Sequence, residues 1–544
     1  MHVRAGHPAQ SDDLIDLNLL LTAYEALKPD VSNLAQKVVF GTSGHRGSSL
    51  DRAFNETHIL AIAQAIADHR SEHGISGPLF LGRDTHALSE LAWRTVIEVL
   101  IANDIEVLID SRDGFTPTPA VSLAVLNFNR ENTRHADGIV ITPSHNPPRD
   151  GGIKYNPPTG GPADGATTAK IAARANQLIE QNLIEVRRVP FDIALGAAGR
   201  FDFLSAYVDD LPNIVDLEII RDRQVRIAVD PLGGASVAYW TEIAHRHRLD
   251  ITVVNKTVDP RWAFMPLDTD GKIRMDCSSP CAMANLVGIM TAGTGYDVAI
   301  GNDPDADRHG IVTPDAGLMN PNHFLAAAIS YLVPNRTGWS LTAAIGKTMV
   351  SSSIIDRLVE GLDRPLFEVP VGFKYFVPGL LDGSLSFGGE ESAGATFLRR
   401  DGTVWTTDKD GIVMGLLAAE IYARTGESAS RLYNQISELY GKSSYARVDA
   451  PANHSQRTHL SSITLDHLEL TTLGDEPIVD ILTKASGNGE DFGGFKVVTK
   501  NTWFAARPSG TENSYKIYAE SFRGIRHLSQ IQEQAKDFVQ KIIR

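Results

Sequence analysis

The chain has 544 residues, 42% apolar and 22% charged, with a formal net charge of -15. That composition excludes a disordered, collagen-like or coiled-coil protein, and the length suggests about three or four domains. A polyanion with no long Lys/Arg run is a poor nucleic-acid binder, so an anionic ligand must be held by local donors. No apolar run approaches the roughly 20 residues of a membrane helix, and MHVRAGHPAQSDD carries no apolar signal core. Cys277 and Cys281 are the only cysteines; one C-x-x-x-C pair is a weak zinc signal, and few thiols in a long chain fit a reducing compartment. The expectation is a cytoplasmic protein with neither nucleic acid nor membrane as partner.

In chain order, a first helix is expected from Asp12 to about Leu27, with Leu14, Leu17, Leu21 and Tyr24 as its apolar stripe. A repeated pattern follows: a short apolar run, a stop at Gly, Asp, Ser or Pro, then a helical pattern. PLFLGRD stops at Asp84, IEVLID at Asp110, GIVIT before Pro143, RIAVDPLGG at Gly234, DVAIGND at Asp303 and LTAAIGKT at Thr348. Strands alternating with helices imply α/β layers, and ligands collect beyond the carboxyl ends of such strands. Pro190–Asp202 and Thr313–Asn322 read as junctions. After a polar stretch, Ser444 to Asp491, comes strand, loop, strand and a tail helix with Leu528, Ile531, Ala535, Phe538 and Ile542 on one face. The expected fold is three α/β domains with mixed, mostly parallel sheets, 1–205, 206–318 and 319–443, plus a smaller C-terminal α+β domain, 444–544.

The polar clusters lie at the strand ends. Asp303-Pro304-Asp305-Ala306-Asp307-Arg308 follows the strand Val298–Ile300. Pro304 discourages a helix, and in an extended segment alternate carboxylates converge. Three carboxylates repel one another unless a cation neutralises them, and hard oxygen ligands suit Mg²⁺, Mn²⁺ or Ca²⁺; the alternative is a solvated acidic turn. An EF-hand is excluded, because its Gly and Glu positions are Arg308 and Pro314. Thr142-Pro143-Ser144-His145-Asn146-Pro147 offers either a serine needing a base, metal or phosphate to act, with His145 and Lys154 near in sequence, or an ordinary Ser/Pro turn. Arg507-Pro508-Ser509-Gly510-Thr511-Glu512-Asn513 is a phosphate cradle or a hairpin turn. Gly388-Gly389-Glu390-Glu391-Ser392-Ala393-Gly394 reads sugar hydroxyls or is a solvated loop. The glycine-rich segment with Arg46, Gly41 to Gly47, is weak alone. Arg83-Asp84 and Asp408-Lys409-Asp410 read as surface ion pairs. Together the kit suits phosphoryl transfer on a phosphorylated polyol.

These motifs, in this order, resemble the α-D-phosphohexomutases from about Val38 to the C-terminal helix. The resemblance implies four domains around a central cleft, the last one mobile. TPSHNP implies a phosphoserine at Ser144, and DPDADR implies Mg²⁺ on Asp303, Asp305 and Asp307, with the phosphate of Ser144 completing the shell. GGEESAG implies sugar recognition by Glu390 and Ser392. RPSGTEN implies phosphate binding by Arg507, Ser509, Gly510, Thr511 and Asn513. TSGHRG and GGIKYN imply active-site Arg46 and Lys154, and VGFK implies that Lys374 orients the sugar. Arg308 belongs to the same substrate-binding set. GEESAG is closer to the glucose-specific branch than the mannose-type GEMSGH loop. The implied reaction interconverts α-D-glucose 1-phosphate and 6-phosphate through a phosphoserine and glucose 1,6-bisphosphate, with Lys154 as general base helped by His145, in a monomer or homodimer. The rival readings are a mutase for mannose or amino-sugar phosphates, a metal-dependent sugar phosphatase and an inactive scaffold.

Overall fold

Runs of Val, Ile and Leu bounded by Gly, Asp or Pro have the signature of strands buried on both faces. The computed structural model, which describes residues 2–41, 44–465, 468, 470–509 and 514–543, places each of the six runs in a strand. The first sheet contains His45–Ser48 (β1), Leu79–Arg83 (β2), Val107–Asp110 (β3), Asp137–Ile141 (β4), Asp150–Asn156 (β5) and Gly199–Phe201 (β6). Its order is β1-β5-β4-β2-β3-β6, with β4, β2, β3 and β6 parallel and β5 and β1 antiparallel. The second contains Ile227–Asp230 (β7), Ile251–Val253 (β8), Val298–Asn302 (β9), His309–Thr313 (β10) and Gly317–Leu318 (β11), in the order β11-β10-β9-β7-β8. The third, β13-β12-β14-β15, is built from Ala344–Thr348 (β12), Leu366–Val369 (β13), Leu385–Gly389 (β14) and Ala395–Phe397 (β15). In both, a parallel centre carries an antiparallel edge. The parallel strands are joined by helical crossovers; the hairpin-like returns make the antiparallel edges.

The C-terminal sheet is different. Ser444–Pro451 (β16), Thr472–Leu473 (β17), Glu476–Lys484 (β18), Asp491–Thr499 (β19), Thr502–Pro508 (β20) and Ser514–Ser521 (β21) are antiparallel throughout. The tail helix Ile525–Ile542 lays Leu528, Ile531, Ala535 and Val539 against this sheet. An α+β unit is therefore present, richer in strands than the sequence reading expected. It docks on the third sheet through Met349, Val350, Trp503 and Tyr518. The buried Glu520 carboxylate fixes that contact. It accepts from Ser352, Ser353, Ser443 and the Trp503 indole.

One apolar core runs through the first three sheets, from Phe80 and Val121 through Trp240 and Ile300 to Phe387 and Leu417. Its axis is the helix Gly411–Thr425, apolar on nearly all sides and buried along most of its length, which packs on β9, β10 and β15. Near its C-terminal end Glu420 is fully buried with Arg336. The guanidinium donates to both carboxylate oxygens at 2.8 and 2.9 Å, and Tyr331 Oη and the Asp216 N–H add bonds at 2.8 and 2.9 Å.

One local expectation is corrected. The first α-helix is Leu17–Ala26, capped by the Asp16 carboxylate on the Leu19 N–H. Asp12 and Asp13 belong to a separate 3-10 turn, and Asp13 is taken by Arg4 at 2.7 Å. Pro190–Asp202 carries the helix Phe191–Ala197 and then β6, which pairs with β3.

His323 stacks on Tyr433 between two helices of the third unit, with ring centroids 3.9 Å apart. Burial lowers its pKa to about 4, against the opposing charge of Glu520. Below about pH 6.5 the unfolded chain takes up this proton and the folded chain does not, so His323 subtracts stability as pH falls from there towards 4. His323→Phe keeps the stack and removes the proton. Its stability in urea unfolding should therefore gain on the wild type by up to ~1.4 kcal/mol per pH unit across that window. Parallel pH profiles for the two proteins would contradict this.

Candidate active site

Ser144 stands just beyond β4 in the left-handed region, φ 60°, a conformation costly for a non-glycine residue that the surrounding contacts hold in place. Its N–H donates to Thr142 Oγ1 at 2.8 Å, and that hydroxyl donates to the buried Asp84 at 2.6 Å. Asp84 also accepts from Ser89 and from the N–H and ring of His86. Arg83-Asp84 is thus no surface pair: Asp84 anchors the serine loop. Ser144 Oγ donates to Asp303 Oδ2 at 2.7 Å, with His145 Nδ1 at 3.4 Å. Burial and the nearby Arg308 and Arg46 hold His145 neutral, its pKa well below the usual histidine range.

The metal-loop carboxylates converge, though not by strand alternation. The segment leaves β9 as a turn with Ala306 at φ 56°, and Asp303 Oδ1 accepts the Arg308 N–H at 3.0 Å. One oxygen of each of Asp303, Asp305 and Asp307 lies within 4.8 Å of the others. Asp305 Oδ2 is taken by Lys154 at 2.6 Å and Asp307 Oδ2 by Lys154 at 2.9 Å and Lys409 at 3.2 Å. Asp305 Oδ1 and Asp307 Oδ1 are buried with no hydrogen-bond partner among the described residues. Buried carboxylate oxygens left open in this way fit a hard divalent cation. Burial and the charges of Asp305 and Asp307 push the Asp303 pKa well up. Burial alone would lower the pKa of Lys154, but Asp305 and Asp307 outweigh it, so the group is held as an ammonium.

Asp408-Lys409-Asp410, read as a surface cluster, is buried. Lys409 reaches Asp307 and Asp408, both at 3.2 Å, and Asp410 caps the buried Gly411 helix while accepting from Tyr207 and Trp405. Lys409 is a candidate site residue that the sequence does not single out. Its two flanking aspartates make the run read as solvated, and only the contact with Asp307 marks it. The same helix start seats the metal loop: Gly411 N–H donates to Ala306 O at 2.9 Å, and a Cβ there would strike the Arg308 carbonyl.

The Glu390–Gly394 loop is the turn between β14 and β15. Glu390 is buried, with its pKa pushed up to about 7 by burial against the opposing Lys409. It accepts the Gly372 N–H at 3.1 Å, which ties the Val371–Lys374 segment to it, and Ser392 Oγ lies 3.5 Å away. Lys374 is half-buried and reaches towards Gly165 of the first unit. Arg46 on β1 donates to Asn146 Oδ1 at 3.2 Å, and burial lowers its pKa. Arg308 is kept charged: burial opposes, and Asp276, Asp307 and Asp303 prevail. On the C-terminal unit, Arg507 is the last residue but one of β20 and lies beside Tyr518, whose pKa burial and Glu391 push up to about 12. Ser509 opens the β20–β21 turn, its N–H donating to Ser514 O at 2.9 Å. Gly510, Thr511 and Asn513, like Thr42 and Ser43, lie outside the described residues.

Comparison with known proteins matches residues 37–182, 205–317 and 320–440 to the phosphoglucomutase/phosphomannomutase α/β/α domains I, II and III. A phosphoglucomutase of Komagataeibacter xylinus is 54% identical over 98% of this chain and 96% of its own length. Phosphoglucomutase 1 of Drosophila melanogaster is 27% identical over 78% of this chain and 74% of its own. The open form of Paramecium parafusin, a phosphoglucomutase, superposes with a TM-score of 0.74 at 19% identity, covering 94% of this chain and 96% of that one.

Proposed function

This chain belongs to the phosphoglucomutase/phosphomannomutase family, and from that premise we infer that it is a phosphoglucomutase, an isomerase interconverting α-D-glucose 1-phosphate and α-D-glucose 6-phosphate. The observation that carries the mechanism is Ser144 Oγ at 2.7 Å from Asp303, within an acidic triad flanked by two buried lysines. Asp303, Asp305 and Asp307 would hold Mg²⁺, which when bound neutralises charge on the phosphoryl oxygens. Phosphorylated Ser144 passes its phosphoryl group to the 6-hydroxyl of glucose 1-phosphate: the P–Oγ bond breaks, a P–O6 bond forms and the hydroxyl proton leaves. Lys154, held as the ammonium, gives its proton to the departing Ser144 Oγ and, as the resulting amine, takes the one from O6, so that the serine leaves as its hydroxyl and the lysine ends as it began. Neutral His145 orients the serine without adding charge.

Glu390, titrating near 7, accepts or donates hydrogen bonds to sugar hydroxyls, and Lys409 sits between it and Asp307. Arg507 and Ser509 grip the phosphate that is not reacting. Glucose 1,6-bisphosphate then turns over in the cleft and returns its 1-phosphate to Ser144. Water must be kept from the phosphoserine, or it would take the phosphoryl group in place of the sugar hydroxyl, which favours closure by the C-terminal unit. Cys277 and Cys281 are unpaired, which supports the cytoplasm as setting.

The test gives the purified protein α-D-glucose 1-phosphate, Mg²⁺ and a trace of glucose 1,6-bisphosphate, and follows glucose 6-phosphate and free phosphate together. Glucose 6-phosphate that forms with Mg²⁺ and stops with EDTA is expected. Free phosphate alone would make the protein a phosphatase, and faster turnover of mannose 1-phosphate would reassign the substrate.

A further inference from the structure

Thr118 opens the helix Thr118–Glu131 of the first unit, directly after Pro117, and is fully buried. Its backbone N–H donates to the Asp305 carbonyl at 2.9 Å, and its hydroxyl donates to Asp305 Oδ2 at 2.6 Å. Asp305 belongs to the second unit, so these two bonds cross between units and hold both the backbone and the side chain of one residue. Lys154, also from the first unit, donates to the same Oδ2 at 2.6 Å. That oxygen is saturated. Its partner Oδ1 is buried and has no hydrogen-bond partner among the described residues. A quarter-turn of the carboxylate would carry its oxygens away from both donors and break both bonds.

We propose that Thr118 is a positioning residue for the divalent cation: it locks Asp305 so that Oδ1 alone is offered as ligand, and so registers the metal loop on the unit that carries Ser144. Lys154 supplies charge to Oδ2 but hangs on a flexible stem that also serves Asp307. The short Thr118 side chain on a helix start is the rigid half of the clamp. Groups that orient a metal ligand typically change metal affinity by about 10–100-fold when removed.

The inference rests on the metal reading given above, and the probe is Mn²⁺ itself, titrated into the full chain by electron paramagnetic resonance without substrate. Thr118→Val keeps the shape and removes the hydroxyl, Thr118→Ala removes both, and Thr118→Ser keeps the hydroxyl. Val and Ala variants should bind Mn²⁺ about 10–100-fold more weakly than wild type, and the Ser variant within ~3-fold of it. Should the Val variant fail to fold, the Ser and Ala pair decides alone. Wild-type affinity in the Val or Ala variant, or a Ser variant as weak as Ala, would overturn the role of Thr118. A wild-type chain that binds no Mn²⁺ would instead overturn the metal reading, and this inference with it.

Discussion

Ser144→Ala is expected to lower kcat by about 10⁴-fold or more, because among the described residues no other hydroxyl is bonded to Asp303. Its Oγ is the atom on Asp303 and beside His145, and the lysines, arginines and glutamate around it bind or move protons but do not carry the group. The substitution removes one hydroxyl and leaves the Thr142–Asp84 support of the loop in place, since that support acts through the Ser144 N–H. Stability should therefore change by no more than ~1 kcal/mol. Steady-state assay with thermal unfolding of the same preparation checks both halves. Substantial mutase activity in the variant would remove Ser144 from the mechanism, and a collapsed fold would mean the loop depends on the hydroxyl itself.

Glu420→Ala is expected to produce the largest loss of stability, ~3–5 kcal/mol. Arg336 is 4% exposed and cannot shed its proton, so removing the carboxylate strands a buried charge. Tyr331 Oη and the Asp216 N–H lose their acceptor as well. The pair pins the segment around Ile214 to Asp216, leading into the second sheet, to the helix that seats the metal loop. Replacing both partners, Arg336→Met with Glu420→Leu, should cost less than Glu420→Ala alone, since no unpaired charge remains. Urea unfolding of the variants measures this. A cost under ~1 kcal/mol for Glu420→Ala would show that water reaches Arg336.

Much of the fold was legible because strand ends announce themselves: an apolar run such as Val298–Asn302 must stop where the backbone meets Asp and Pro. The antiparallel edges were harder to see. β5, Asp150–Asn156, mixes glycines, a lysine and an asparagine, and becomes a strand only because β4 offers it a partner. The short β6 is held by pairing with β3. Asp12 and Asp13 had the chemistry of a helix start, but the apolar stripe that decides the helix begins after Asp16, and Arg4 claims Asp13.

At the site, Ser144, the three aspartates, Lys154 and Glu390 were readable from motif and position. Lys409, Asp84 and Thr118 were not. Asp408-Lys409-Asp410 contains its own counter-charges and so reads as solvated. Burial becomes affordable only when Asp307, contributed from another sheet, adds a further carboxylate. Thr118 is an unremarked threonine between two prolines until the second unit brings Asp305 against it. Local spacing cannot report a partner that arrives from a different unit.

In the proposed mechanism Ser144 Oγ is the atom that carries the phosphoryl group. The most direct measurement incubates the protein with glucose 1,6-bisphosphate labelled in its phosphates, quenches it, and maps the label by peptide mass spectrometry. The label should sit on Ser144, at no more than one phosphoryl group per chain, and should leave again on addition of unlabelled glucose 1-phosphate. Label on a different residue, or none on the protein while the mutase reaction runs, would contradict the mechanism.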